Sequence, residues 1–295
     1  MKKISTTIGF LTIGFLLWYF IIKPYDYLVT FKVKTTAGTI NQSLKIWNVG
    51  LENSLPINQE SLSELTQHIK INDSTYQYQW SISSLNDSVS KVKVYIKDLD
   101  HSMANKISIP FSHTDFEKRT LKTVSNFTDK LLEHLKKIKV KVEGESFSRS
   151  TYCAYIPMKG LQVEKARGMM KNYSLLTQVL SADQVKMNGT PFVEVTDWNQ
   201  QNDSIEYHFC FPIIKSDSLP KHPLIQYKKY QGVKALKAIY NGNYITSDRA
   251  WYALLEYADR KNIAIENKPV EVFNNNPNFG GNELRWEAEI YMPIK

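Results

Sequence analysis

The sequence predicts an α+β chain in three parts: an N-terminal transmembrane helix, a strand–helix–strands–long-helix region, and a tandem βαββ module with pseudo-twofold symmetry. Three observations predict it. Residues 4–22 carry no charge. From Phe116 to Leu135 apolar residues recur every three to five positions, the spacing of an amphipathic helix. Residues 269–295 repeat the plan of residues 191–215: a Pro-led strand, a polar loop, then an alternating strand closing on Pro-Ile.

The composition sets bounds on what the chain does. At 295 residues there is room for about two domains, and 42% hydrophobic with 22% charged residues is a globular balance. Net charge is +8, yet the basic residues are spread out, with one modest cluster at Lys136, Lys137, Lys139 and Lys141. No helix-turn-helix, zinc finger or Arg-rich arm accompanies them, so nucleic acid is not expected as a partner. A basic balance also suits attraction to an anionic membrane surface. Cys153 and Cys210 lie outside any CxxC or Cys/His cluster, which argues against a structural metal. The spacing leaves open whether they pair or stay as two buried thiols. No cofactor motif is present.

The first element is the uncharged run 4–22. Nineteen residues at about 1.5 Å each approach a hydrocarbon core of about 30 Å. Trp18 and Tyr19 sit near its end as interfacial aromatics do, and Lys23-Pro24 stops it. No small-x-small cleavage site follows, so an uncleaved anchor over 1–23 is expected rather than a removed signal peptide. Lys2 and Lys3 favour an N-inside orientation, which puts the rest of the chain outside the cytoplasm; Lys23, Lys32 and Lys34 pull the other way.

Residues 24–139 follow as a domain. Residues 27–35 alternate as a strand, and Ala37-Gly38 opens a helix through Ile40, Leu44, Ile46 and Trp47. Strands are expected at 76–83, 90–99 and 105–110, with Asn86-Asp87 turning between the first two. Thr114-Asp115 then cap a long helix whose stripe is Phe116, Leu121, Val124, Phe127, Leu131, Leu132 and Leu135. The opening PYDYLVTFKVKTTAGTINQSLKIWN resembles the first strand and helix of START-like (SRPBCC, polyketide-cyclase-like) helix-grip domains. That resemblance implies an apolar ligand held between sheet and long helix, here in a short region where the apolar residues also suffice simply to fill a core.

The last part, 140–295, contains two repeats at about 146–215 and 224–295. Repeat one has a strand at 150–158, a helix at 163–179 with Met169, Met170, Tyr173, Leu176 and Val179 on its apolar side, then a strand pair. Repeat two has a strand at 233–240, a turn at Gly242-Asn243-Tyr244, and a helix capped by Thr246 or Ser247 that carries Ala250, Trp251, Leu254, Leu255 and Ala258. Asn262 stands where that helix ends. The tandem βαββ order, the Gly-x-Tyr turn before a Trp-containing helix and the closing ELRWEAEIYMPIK are similar to the gyrase-inhibitor-like (GyrI-like) effector-binding domain. That domain also forms the sensor of AraC- and MerR-type regulators. The family often has His and Pro flanking the turn glycine, where this chain has Tyr240 and Asn243.

On the last strand, Glu287, Glu289 and Tyr291 share the face opposite Ala288, Ile290 and Met292. A carboxylate among aromatic rings suits a cationic or amphipathic organic ligand, and the resemblance puts a Glu, here Glu289, at the floor of a groove. Laying Pro212 on Pro293 makes His208 the partner of Glu289 and Cys210 that of Tyr291. The expected ligand-binding residues are Glu289, Tyr291, Tyr155, Tyr240, Tyr244, His208 and Trp251. Solvation explains Glu287, and core packing is the plainer role for Trp251. Three functions follow: a membrane-anchored small-molecule binding protein, a hydrolase using Glu289 and Tyr291, or a ligand-responsive regulator acting through a protein partner.

Overall fold

A computed structural model describes residues 2–86 and 89–295. The chain divides into two compact units, Met1–Leu132 and Glu133–Lys295.

The first unit opens with α1 (Lys2–Leu17), which passes at Trp18–Ile22 into a π-helical turn. Sixteen α-helical residues extend about 24 Å. Among the described residues no helix is long and apolar enough to cross a membrane, so the span expected over 4–22 is not found as one continuous α-helix. The turn is tied into the unit instead. The buried Lys106 ammonium donates to the carbonyls of Lys23 (2.6 Å) and Phe20 (3.4 Å), and the Tyr19 hydroxyl donates to the Lys106 carbonyl.

After it come β1 (Tyr27–Val33), α2 (Ala37–Val49), β2 (Asn58–Gln59), β3 (Glu64–Ile71), β4 (Ser74–Asn86), β5 (Val89–Asp98), α3 (Ser102–Ser108) and α4 (Asp115–Leu135). The strands form one antiparallel sheet in the order β1-β5-β4-β3-β2. Thr36 caps α2 by accepting from the Thr39 N–H, and Thr114 caps α4 by accepting from Glu117. The buried stripe of α4 is Phe116, Thr120, Val124, Phe127 and Leu131. Leu121 and Leu132 stand one position off that stripe and face outward. Phe127 is the hub, with Trp80 and Trp47 at ring-centroid distances of 5.0 and 5.4 Å. Two expectations change here. Residues 105–110 are not a strand: the Asp98 carboxylate accepts from the His101 N–H and the Asn105 amide and holds the segment as α3. β3 was not foreseen. The Asp87 half of the Asn86-Asp87 turn lies outside the described residues.

The second unit contains β6 (Lys139–Phe147), β7 (Thr151–Leu161), α5 (Lys165–Ala182), β8 (Phe192–Asn199), β9 (Ser204–Ile213), β10 (Gln226–Tyr230), β11 (Lys234–Asn241), α6 (Arg249–Lys261), β12 (Val270–Phe273) and β13 (Glu287–Pro293). All eight strands form one sheet, β10-β7-β9-β8-β12-β13-β11-β6. The two βαββ repeats meet at its centre, where β8 pairs antiparallel with β12. α6 ends on Asn262 in the left-handed conformation, as the sequence suggests. Its start differs: a 3-10 turn at Tyr244–Thr246 precedes it, capped by Asn243, and Ser247 is free for another role.

The strands that precede the repeats are exchanged. β6 leads into repeat one but pairs with β11 of repeat two, and β10 leads into repeat two but pairs with β7 of repeat one. The two connectors therefore cross. The Ser148 hydroxyl accepts from the Val233 N–H, and the Ser150 hydroxyl accepts from the Gly232 N–H. At that crossing only glycine fits, because a Cβ on Gly232 would lie 2.2 Å from the Ser148 carbonyl oxygen. We expect Gly232→Ala to cost about 2–3 kcal/mol through forced overpacking, read as a lowered urea midpoint with an unchanged slope; an unchanged midpoint would show that the crossing is not a constraint.

Candidate ligand-binding site

β12 is four residues long and lies inside the sheet, between β8 and β13. Val270 joins Cys153, Phe192 and Cys210 on one face. By alternation Glu271 and Phe273 point to the other, the face covered by the helices. Glu271 is completely buried there with Lys165, the first residue of α5. Lys165 Nζ donates to Glu271 Oε2 at 2.5 Å, Trp251 Nε1 donates to Oε1 at 2.5 Å, and the Ser247 hydroxyl lies 3.1 and 3.0 Å from the two oxygens. Lys165 also donates to Ser247 Oγ and sits 4.6 Å from the centroid of the Trp251 ring. A buried ion pair loses hydration on both sides and is tolerated when it is hydrogen-bonded on both sides; here both carboxylate oxygens accept, and the ammonium donates to Glu271 and Ser247.

From that anchor α5 runs on beside a cavity of about 480 Å³. Gly168 brings the helix down onto β9, since a Cβ there would lie 2.5 Å from the Tyr207 hydroxyl. Ala166, Met169, Met170 and Tyr173 present their side to the cavity, and β9 contributes Phe209. The second repeat supplies the opposite wall: Tyr244 and Ile245 of the 3-10 turn, Phe273, and Trp286 at the foot of β13, with Asn243 and Asn274 to Asn276 among the polar lining. Tyr244 is fixed in this wall. Its hydroxyl donates to the Glu287 carbonyl at 2.8 Å and accepts from the Asn275 N–H, its ring lies 4.8 Å from Phe273, and burial pushes its pKa up to about 12. The arrangement can enclose an aromatic molecule between ring faces. The lining contains no carboxylate, imidazole or thiol.

The residues singled out from the sequence fall in three places. Tyr244 lines the cavity. Trp251 is in the core, holding Glu271, and stacks edge-on with Trp198 at 5.1 Å. Tyr240 is also buried, its hydroxyl 2.8 Å from both the Asn243 carbonyl and Thr246 Oγ1, so it braces the turn that carries Tyr244. Glu289, Tyr291, His208 and Tyr155 are on the other face of the sheet, in two separate clusters. Glu289 accepts from Lys237 (2.9 Å) and Tyr291 (2.6 Å). Burial works to raise the Glu289 carboxyl, but those two donors hold it below the ordinary range, while burial and the adjacent carboxylate push the Tyr291 hydroxyl up. Across the sheet, Glu194 accepts from Lys228 and is 3.0 Å from His208 Nδ1; the Tyr155 ring lies 4.5 Å from the His208 ring. Cys153 and Cys210, left open by the sequence, are both free buried thiols, and burial raises the Cys210 thiol.

Sequence reasoning did not find Lys165 and Glu271. The available signal was a single acid inside VEVF, sharing the face of Phe273 rather than alternating with it. Met169, Met170 and Tyr173 form the apolar side of α5, as the periodicity predicts; what the periodicity does not show is that this side is left partly uncovered.

Because the pair is sealed from water, we expect Lys165→Met to destabilise the fold by about 3–5 kcal/mol by leaving a buried carboxylate alone, and Lys165→Met/Glu271→Leu to regain most of that loss. Urea unfolding of the single and double variants gives the comparison, and equal losses in both would remove the pair from its central place.

No family model and no curated protein matches the chain. Among solved structures, it is similar to the C-terminal domain of EcmrR, with 12% identity over 54% of this chain and 98% of that one and a TM-score of 0.44. It is also similar to SAV2435 bound to tetraphenylphosphonium (12% identity, 52% and 94% covered, TM-score 0.36). A third similar structure is a hydrolase from Listeria innocua (7% identity, 54% and 92% covered, TM-score 0.34).

Proposed function

We propose that this chain binds a small, largely aromatic amphipathic molecule in the cavity between α5 and the second repeat. The observation that carries the reading is the cavity itself: about 480 Å³, with rings from Tyr173, Phe209, Tyr244, Phe273 and Trp286 around it. That volume is within the range of about 300–1,000 Å³ typical of small-molecule sites, as is a mostly apolar lining with a few polar groups. The walls belong to both repeats and are pinned by buried hydrogen bonds, so the site is largely formed before a ligand arrives. With no carboxylate, imidazole or thiol in the lining to activate a hydroxyl, binding without chemistry is the reading the residues favour over hydrolysis.

A fluorescent apolar amine, N-phenyl-1-naphthylamine, serves as the test probe. Met169→Trp fills the cavity from α5 and is expected to weaken probe binding at least tenfold. Glu289→Gln, altering the opposite face of the sheet, is expected to leave it unchanged. Loss of binding in the Glu289 variant with retention in the Met169 variant would move the site to the other face.

We also propose that residues 4–22 hold the chain at a membrane, with the residues after them on the outer side. Support comes from α1 and the turn after it, where Phe10, Leu11 and Ile21 are each at least 70% exposed, a contiguous apolar surface that water does not favour. Phe10→Asp/Leu11→Asp places two charges, each worth about 2.5–3.5 kcal/mol against insertion, in that surface. Flotation with phospholipid vesicles is expected to carry the wild-type chain and leave the variant behind, and flotation of both would refute the anchor.

A further inference from the structure

We infer that α3 is a second membrane contact, with its outward apolar stripe of Met103, Ile107 and Phe111 set into the interfacial layer of a lipid bilayer. The inference rests on the membrane reading of residues 4–22 above and adds to it a surface which that run does not include.

α3 is built inside out. A helix on a protein surface ordinarily turns its apolar side to the core and its polar side to water. Here the inner side is polar. The Ser102 hydroxyl donates to the Asp26 carboxylate at 2.5 Å and the Asn105 amide donates to Asp98 at 3.2 Å. Lys106 is buried, its ammonium bonded to the carbonyls of Phe20 and Lys23. Buried polar groups keep their place when they are bonded, so these contacts fix which side of the helix faces inward. The apolar residues are left outside. Met103 is 54% exposed, Ile107 53% and Phe111, in the turn that follows α3, 88%. A spacing of four residues aligns them along one side.

What covers the stripe follows from where α3 is held. The Lys106 bonds, with the Tyr19 hydroxyl donating to the Lys106 carbonyl at 3.1 Å, fasten the helix to the turn at Trp18–Ile22. That turn is itself apolar and open: Ile21 and Ile22 are 71% and 67% exposed. The uncovered apolar side chains of α3 and of the turn therefore belong to one region of the unit, at the end of the run 4–22. Lys23 closes the run there, its ammonium 4.7 and 4.6 Å from the ring centroids of Tyr19 and Tyr25. Aromatic rings beside a lysine are the side chains that sit at headgroup level, with ring and stem in the apolar layer and the charge in water. A helix held at that level with its apolar side outward is suited to bury that side about 5–10 Å into the headgroup and acyl boundary. The polarity of α3, inverted for a protein in water, is thus the ordinary one for a helix lying between a protein and a bilayer.

Site-directed fluorescence on the full chain tests the inference. Ile107→Cys, and in a second variant Ser83→Cys, is labelled with the environment-sensitive dye NBD; Ser83 is an exposed β4 position level with Lys32 rather than with the start of β1. The wild-type chain treated in the same way is the blank, because Cys153 and Cys210 are buried. Each chain is mixed with vesicles of phosphatidylcholine and phosphatidylglycerol, recovered by flotation, and quenched either by a lipid with a nitroxide on its acyl chain or by iodide in the water. The expected result is that the nitroxide lipid quenches the dye at 107 about threefold or more over the dye at 83, and that iodide gives the reverse order. Equal access of iodide to both positions in chains that float would overturn the inference and leave the anchor reading standing. Chains that do not float would overturn both. Protection of position 107 from iodide when vesicles are left out would put protein on the stripe and overturn the inference.

Discussion

The second unit is organised by one buried charge pair. Lys165 comes from the first repeat and Glu271 from the second, so their contact is made only when the two halves close on each other. An ammonium and a carboxylate removed from water demand complete hydrogen bonding, and that demand fixes the neighbours. Ser247 must stand at the entrance of α6 and Trp251 one turn into it, with the indole N–H aimed at Glu271. The 3-10 turn that carries Tyr244 ends at Thr246, directly before Ser247, so the same pair sets the position of the cavity's aromatic wall. On the other side it sets the first turn of α5, from which Ala166, Met169 and Tyr173 follow at helical spacing. The cavity is thus the space left between two elements that a single polar contact holds in register.

The scaffold is close to symmetric and the chemistry is not. Register pairs Phe192 with Cys210 in repeat one as it pairs Val270 with Tyr291 in repeat two. Counting along from those pairs, Val193 corresponds to Glu271 and His208 to Glu289. Repeat one therefore has an apolar residue at the position where repeat two places its buried acid, and the pair forms once rather than twice. The exchanged strands β6 and β10 keep the halves from separating, since each repeat's first strand is hydrogen-bonded to a strand that belongs to the other's lead-in. This division of labour lets the central side chains specialise, because the backbone ladder and the crossing at Gly232 already hold the arrangement together.

Much of this was legible in the sequence. The tandem repeats, the turn at Gly242 to Tyr244, the Asn262 helix end and the apolar side of α5 all follow from period and turn chemistry. These are local signals, carried within ten or twenty residues. The failures are of two kinds. Residues 105–110 alternate like a strand, but Asp98 and Lys106 recruit the segment into a helix through contacts with residues that periodicity does not weigh. Glu271 is not legible in the sequence because its significance comes from Lys165, 106 positions away, and because Val270, Val272 and Phe273 put apolar side chains on both faces of a short strand, so alternation does not separate polar from apolar. Glu289 attracted attention for the opposite reason. Its strand alternates cleanly, so its carboxylate stands out in the sequence, although on the sheet it is one member of a closed cluster with Lys237 and Tyr291.

The two faces of the sheet illustrate how burial and charge divide functional roles. The face carrying Glu194, His208 and Glu289 holds the more conspicuous chemistry, yet its acids are matched by Lys228 and Lys237, and those partners hold both carboxyls below the ordinary range. Satisfied carboxylates of this kind remain ionised through neutral pH and gain little from exchanging a lysine for an external cation. The helix-covered face shows the converse. Its buried acids Glu271 and Asp248 are paired internally with Lys165 and Arg249, so what the cavity lining presents is shape and aromatic surface. A ligand held there would be recognised through displaced water and ring contacts, terms that scale with the area enclosed.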